Sequence, residues 1–382
     1  MFNEIKIKST DFSVLILEIG VEINYINFRN LTLFTGVNSS GKSSTLQALL
    51  LIKQNFHIYG PLIKKIALPM ENLKNFFQKL DINGEYLDLG LGQDILYDKA
   101  ENDILELQLK LKDGEVNFKS NIRESRVEES INCEMNYSNN IEELFLQNNF
   151  TYLSADRIVP QSSYKYSKEN VLKGNLGKNG EYTIHYLAEN KNSSIPLKEL
   201  QYPEANSNQL LENVECWLSK ISKGIKVIPD VNINFQQSTL QYSYGGSKRL
   251  PQNMGFGITY VLPIIVAILK AKKGDIIIIE NPESHLHPSG QVEIARLCAK
   301  ASEAGVQIIV ETHSDHFLNG VRVAIKERIL NNNNALVYYF SRNEEEEKTE
   351  VQKIEIDENG KIDEWPKGFF DEWDIQLEKL LW

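Results

Sequence analysis

The stretch GVNSSGKSST, residues 36 to 45, constrains this chain more than any other feature. Gly36, four residues, then Gly41, Lys42 and Ser43 satisfy the spacing G-x-x-x-x-G-K-[ST] of a phosphate-binding P-loop. The flanks agree with the motif. Leu31, Leu33 and Phe34 form a short β-like run before it, and Leu46, Leu49, Leu50 and Lys53 recur at helical spacing after it. Glycines let such a loop curl with its N–H groups inward, and the helix N-terminus adds partial positive charge. Asn38, Ser39, Ser40 and Ser44 complete the expected cradle. Lys42 is expected at the β- and γ-phosphates of ATP, and the Ser43 hydroxyl at Mg²⁺.

Composition bounds the rest. The chain has 382 residues, 42% of them hydrophobic, enough for one large or two ordinary domains. A net charge of −11 argues against a partner held by bulk attraction to nucleic acid, though a local basic patch stays open. Cys133, Cys216 and Cys298 are odd in number and scattered, which suits a reducing cytoplasm. The opening MFNEIKIKST does not read as a secretory leader. The apolar run ITYVLPIIVAILKA is too short to span a bilayer and reads as a buried helix, so no membrane role is expected.

Along the chain, residues 12 to 34 read as two or three strands leading into the P-loop. Short β runs follow from about 81 to 153, with a hairpin at Asp113-Gly114. The Asn- and Glu-rich stretch 131 to 148 is expected to be exposed. Residues 160 to 205 look like a loop-rich insert around one short helix. A helix near 207 to 222 and strands from 225 to 244 come next. From 255 onward strands and helices alternate, which implies a parallel sheet. The run EEEE at 344 to 347 reads as a solvated loop.

A P-loop needs a partner carboxylate at a neighbouring strand end. GDIIIIENPESHLHP offers Glu280 after four isoleucines, a pattern expected of a strand buried on both faces. The next strand, VQIIVETHSDHF, ends at Glu311, Thr312 and His313. Together GVNSSGKSS, GDIIIIENPESHLHP and VQIIVETHSDHFL resemble the OLD-like branch of ABC-type ATPases, relatives of SMC and DNA-repair heads. LPQNMGFGITYVLPIIVAIL resembles the stretch that carries their signature motif. KIDEWPKGFFDEW resembles a small C-terminal domain of unknown function.

The resemblance implies an α/β fold: an ABC-type P-loop ATPase head with a mostly parallel sheet, an N-terminal antiparallel β lobe and a helical or loop insert. It implies a head over 1–330, with the insert at about 100–250, and a C-terminal domain over 331–382. It also implies a homodimer that sandwiches two ATP molecules between P-loop and signature helix. Carried over by residue, Glu280 takes the Walker B position at Mg²⁺, and His313 the switch position at the γ-phosphate. Asn253, Gly255 and Gly257 fall in the signature region. Gln93 in LGLGQD is either the glutamine that joins Mg²⁺ to the second lobe or an ordinary turn residue. The expected catalytic glutamate is replaced by Asn281, which cannot accept a proton as a base. Glu283 could serve instead; otherwise the site is slow and works as a binding switch.

Other readings are weighed against this one. His285, His287, His313 and His316 could form a metal site, but no cysteine is near and the resemblance uses the first two in a partner-facing loop. Cys298 is expected in the core, Arg157 in a buried ion pair, and Trp365, Phe369, Phe370 and Trp373 in packing. Three function classes compete: an ATP-driven switch acting on a separately encoded effector such as a nuclease or toxin, a nuclease fused to the ATPase, and a DNA-tethering or DNA-end-sensing machine. Only about sixty residues follow the switch helix, too few for the fused nuclease. No long heptad run favours the third class. The resemblance points to bacterial phage-defence operons.

Overall fold

The computed structural model describes residues 2–9, 21–66, 77–95, 103–111, 113–139, 141, 144, 150–343, 348–363, 365–366 and 368–381. In chain order the elements are β1 (Phe2–Ser9), β2 (Val21–Asn27), β3 (Leu31–Gly36), α1 (Lys42–Ile66), β4 (Lys79–Asp81), β5 (Ile104–Leu111), β6 (Gly114–Asn121), β7 (Ser130–Asn139), β8 (Phe150–Leu153) and β9 (Tyr164–Lys165). Then come α2 (Lys168–Leu172), α3 (Thr183–Asn190), α4 (Leu210–Ile221), β10 (Ile225–Asn232), β11 (Gln237–Tyr244), β12 (Ser247–Arg249), α5 (Phe256–Leu269) and β13 (Ile276–Glu280). The chain closes with α6 (Pro288–Glu303), β14 (Gln307–Glu311), α7 (Asp315–Lys326), β15 (Ala335–Asn343), β16 (Lys348–Ile354) and α8 (Glu372–Leu381).

The central sheet has the order β16-β15-β3-β14-β13-β8. All neighbours pair in parallel except β16, which returns antiparallel along β15. Its strands are apolar on both faces, and the structure shows why. Ile277, Ile279, Ile308 and Val310 belong to one core, with α3 to α7. Ile276, Ile278, Ile309 and Phe34 belong to the other, with α1 and the antiparallel lobe. Helices or a second sheet therefore cover each face, and every isoleucine of β13 contributes roughly 2 kcal/mol by burial. The apolar run at 256–269 is the buried helix α5; every residue from Gly257 to Leu269 is shielded from solvent.

Among the described residues, the stretch from 100 to 250 divides three ways. β5, β6 and β7 join the N-terminal strands in an antiparallel sheet of order β2-β1-β5-β6-β7-β4. β8 enters the central sheet beside β13. Residues from β9 to β12 pack over the other face as short helices and a small antiparallel sheet. The hairpin at Asp113-Gly114 is present, pairing Lys110 with Glu115. The Asn-rich stretch differs from expectation. Its first part is β7, where Ile131, Cys133 and Met135 alternate into the core between polar neighbours. Two short helices, α2 and α3, rather than one occupy 160–205. Beyond residue 330, β15 pairs along β3 in the central sheet and carries Tyr338 and Phe340 against Phe34. The EEEE run lies outside the described residues.

No helix among the described residues is long and apolar enough to cross a membrane. Cys133, Cys216 and Cys298 are free thiols; Cys298 is fully buried, and burial pushes it up to about 12.

Candidate functional site

The C-terminal edge of the central sheet gathers the groups that sequence places at a nucleotide. β3 ends at Gly36, β14 at Glu311 and β13 at Glu280. Ligands of open α/β sheets bind at this edge. Gly36 has φ +140°, and a Cβ there would lie 2.0 Å from the Phe340 carbonyl oxygen, so only glycine fits. Ser39 and Gly41 also have positive φ, which turns the loop back toward α1. Ser40 Oγ ties to Val37 O at 2.8 Å, and Thr45 N begins the helical ladder on Gly41 O at 3.0 Å. Among the described residues the N–H groups of 38–44 have no acceptor. A loop of unpaired donors at a helix N-terminus is an anion site.

Lys42 Nζ folds onto its own loop, to Val37 O at 2.6 Å and Gly36 O at 3.1 Å. Burial holds its pKa below the usual lysine value, while Glu311 pulls the other way. Ser43 Oγ donates to Glu311 Oε1 at 2.8 Å. Glu311 is 5% exposed, and its Oε2 has no hydrogen-bond partner. Burial, then the nearby Glu280 charge, pushes its carboxyl up to about 7. The sequence placed Glu311 at the strand end without a role.

Glu280 is engaged away from the P-loop. Its Oε1 accepts from Tyr152 OH at 2.9 Å and its Oε2 from Ala155 N at 2.9 Å. The next residue, Asn281, sits at φ +44°, a conformation asparagine tolerates better than most side chains. Its N–H donates to Glu311 O at 2.8 Å. Arg157 secures this turn from below. It is 2% exposed and donates to Ser154 O at 2.7 Å, Glu280 O at 2.5 Å and Asn281 O at 2.7 Å. Its guanidinium stacks 4.3 Å from the Tyr260 ring centroid. The expected buried ion pair is thus absent among the described residues. Backbone carbonyls take the place of a carboxylate, because the strand ends present several of them to one planar donor.

Glu283 lies two residues beyond Asn281 and faces β14's end. Thr312 Oγ1 donates to its Oε2 at 2.8 Å and His313 N to its Oε1 at 2.7 Å. Burial raises its pKa despite these bonds, which makes it a stronger base. His313 is exposed on one side, and crowding by the neighbouring protein, followed by the Lys42 charge, lowers its pKa. It lines a cleft of ≈ 340 Å³ with Gly36, Val37, Tyr339, Phe370 and Asp371. The C-terminal segment therefore borders the P-loop. Phe369 is buried there against Tyr339 and Trp365, so these aromatics serve packing. The side chain of Trp373 lies outside the described residues.

The signature region stands at the N-terminus of α5. Asn253 and Gly255 are exposed, but Gly257 is buried, and a Cβ there would lie 2.3 Å from the His285 carbonyl oxygen. Close packing against the loop after β13 accounts for this glycine. Phe256 and Tyr260 flank the His285 ring at 4.5 and 5.0 Å. Gln93 sits in the antiparallel lobe; its N–H donates to Arg126 O at 2.9 Å, and among the described residues its amide has no bond to the P-loop. The remaining histidines have separate partners. His287 caps α6 through Ser289, and His316 lies beside Asp315. Among the described residues no three His, Cys, Asp or Glu side chains are grouped to hold a metal alone.

Residues 31–319 match the family model described as "AAA domain, putative AbiEii toxin, Type IV TA system". Residues 330–380 match a second model, "Protein of unknown function (DUF3696)". No curated protein matches the chain by sequence. Among solved structures, an SMC head bound to the C-winged helix domain of ScpA is similar with a TM-score of 0.52 and 12% identity, over 93% of this chain and 98% of that one. An SMC head with an extended coiled coil, bound to the C-terminal domain of ScpA derived from Pyrococcus furiosus, has a TM-score of 0.49 and 12% identity, over 99% and 100%. The SMC head domain from Thermotoga maritima has a TM-score of 0.47 and 10% identity, over 93% and 99%. The first of these likenesses shows that the chain has the α/β fold of an SMC head.

Proposed function

Because the chain belongs to this AAA-domain family, we propose that it binds and hydrolyses ATP with Mg²⁺ and works as a switch. Two copies close head to head around the nucleotide, and closure regulates a separately encoded effector. The observation that carries the reading is the P-loop itself: unpaired N–H groups at 38–44, Lys42 in the same loop, and Ser43 bonded to a buried carboxylate. That donor set fits a nucleoside triphosphate with a hard divalent cation.

In this reading Lys42 leaves its loop carbonyls for the β- and γ-phosphates. The α1 N-terminus holds the phosphate oxygens through backbone donors. Mg²⁺, when bound, would neutralise charge on the phosphates, held by Ser43 and a carboxylate at the strand ends. Glu283 takes a proton from the attacking water, oriented by Thr312 Oγ1 and His313 N. His313 is exposed at the P-loop edge, where its ring can meet the γ-phosphate. Asn281 supplies no base; its part is the left-handed turn that aims Glu283. Asn253 and Gly255 are exposed at the start of α5 and would present that helix end to the nucleotide of the other copy.

The effector is proposed to be a nuclease or toxin in a cytoplasmic defence system of the OLD-like kind. The family description, which names a toxin of a toxin–antitoxin system, supports that setting. Sedimentation velocity tests the switch. With Mg²⁺ and a slowly hydrolysed ATP analogue the protein should pair, and with ADP it should separate. A constant oligomeric state under all nucleotides would reject nucleotide-driven closure.

A further inference from the structure

Three carboxylates lie at or just beyond the strand ends on the P-loop side of the sheet, and their bonding differs. Glu283 has both oxygens occupied by Thr312 and His313. Glu280 has both occupied by Tyr152 and Ala155, which ties β13 to β8 and to the chain just after it. Glu311 has one oxygen on Ser43 Oγ and the other buried without a donor. An unpaired buried carboxylate oxygen costs free energy unless a cation meets it. Glu311 also stands directly across from Glu280 in the parallel register, so two like charges share one edge.

We infer that Glu311, at the end of β14, is the protein carboxylate that takes the nucleotide's Mg²⁺ together with Ser43, and that Glu280 is a positioning residue for the β13–β8 edge. The strand order explains the exchange. β14 lies next to β3, whereas β13 is one strand further from the P-loop. A carboxylate on the adjacent strand reaches the P-loop serine, and the orphaned Oε2 offers the lone pairs that a divalent cation needs. A serine hydroxyl, a carboxylate and phosphate oxygens form the hard oxygen set that suits Mg²⁺. The backbone at this point is already fixed, since Asn281 N bonds Glu311 O and Thr312 N bonds Phe34 O.

The inference rests on the nucleotide reading, and its test separates the two. The probes are Mn²⁺, followed by the electron paramagnetic resonance of the free ion, and a fluorescent ATP analogue. Wild type should bind the analogue in EDTA and bind Mn²⁺ tightly once the analogue is present. Glu311→Gln should keep the EDTA affinity and lose Mn²⁺ affinity by at least about tenfold, the smallest loss expected of a group in a metal's ligand network. Glu280→Gln should keep Mn²⁺ affinity near wild type. Unchanged Mn²⁺ affinity in Glu311→Gln, or an equal loss in Glu280→Gln, overturns the assignment while leaving nucleotide binding in place. Failure of wild type to bind the analogue overturns the nucleotide reading and this inference with it. If Glu311→Gln does not fold, Glu311→Asp decides: its shorter arm should weaken Mn²⁺, and wild-type affinity there would refute the assignment.

Discussion

Replacing Arg157 by methionine should cripple the site without touching any group proposed to meet nucleotide. Arg157 donates to the carbonyls of Ser154, Glu280 and Asn281 from a fully enclosed position. Methionine fills the volume but donates nothing. The Asn281 carbonyl keeps a second donor in Ser284 N, whereas the substitution leaves those of Ser154 and Glu280 short of one. Each acceptor orphaned at these part-buried positions costs about 1–3 kcal/mol, and the lost stacking on Tyr260 about 1 more. Sparing the guanidinium its own desolvation, which already holds its pKa down, returns part of that. The net loss is about 3–5 kcal/mol. The left-handed turn at Asn281 then loses its support, and Glu283 drifts from the water it is proposed to activate. A shift near 1 Å costs about 100-fold in turnover. Denaturant unfolding should show the stability loss, and steady-state phosphate release the rate loss, with ATP affinity reduced far less. A cost under about 1 kcal/mol with turnover near wild type would refute the claim that Arg157 holds this turn.

Other expectations are simpler. Glu283→Gln should leave ATP bound and cut turnover by roughly 10²–10⁴ in a phosphate-release assay, whereas equal rates would return the base role to another group. Gly255→Arg should fold and bind ATP singly but fail to pair in light scattering, because a Cβ at Gly255 meets only Ile258 at 3.9 Å. Gly257→Ala should instead lose about 1–3 kcal/mol in thermal unfolding, since the added carbon strikes the His285 carbonyl. Lys270, at the end of α5, is pushed down to about 8 by burial, below the 10.5 of an unfolded lysine. Its charge therefore costs stability below pH 8, and stability is regained as pH rises toward 10.5. Lys270→Met should add up to about 2 kcal/mol at pH 7, a gain that fades by pH 10.5 in pH-dependent melts.

The P-loop was legible because its function depends on contiguous residues: Gly36 to Ser43 carry their own turn, donors and cation. The β13 turn was legible for the same reason, with Glu280, Asn281 and Glu283 in one run. Glu311 was visible only as a polar residue closing an apolar strand. Its bond to Ser43 follows from β14 lying between β3 and β13, a strand order that local pattern does not encode. Arg157 was misjudged because its acceptors are carbonyls, which every residue has. Gly257 looked like a residue for a partner's phosphate, yet a contact with His285 O some thirty residues away explains it. β7 was hidden by its polar outward residues, whereas β15 was legible as a strand in the apolar run LVYYF but not in its pairing along β3. Long-range pairing decided each of these.

The central claim is that the loop at 36–45 holds ATP. Equilibrium binding of a fluorescent ATP analogue to wild type and to Lys42→Ala tests it most directly. Lys42 is the cation folded onto this loop, so its removal should lower affinity by at least about tenfold, the equivalent of 1.4 kcal/mol of lost charge pairing. Wild type that binds no analogue, or a variant that binds it as tightly as wild type, would contradict the account.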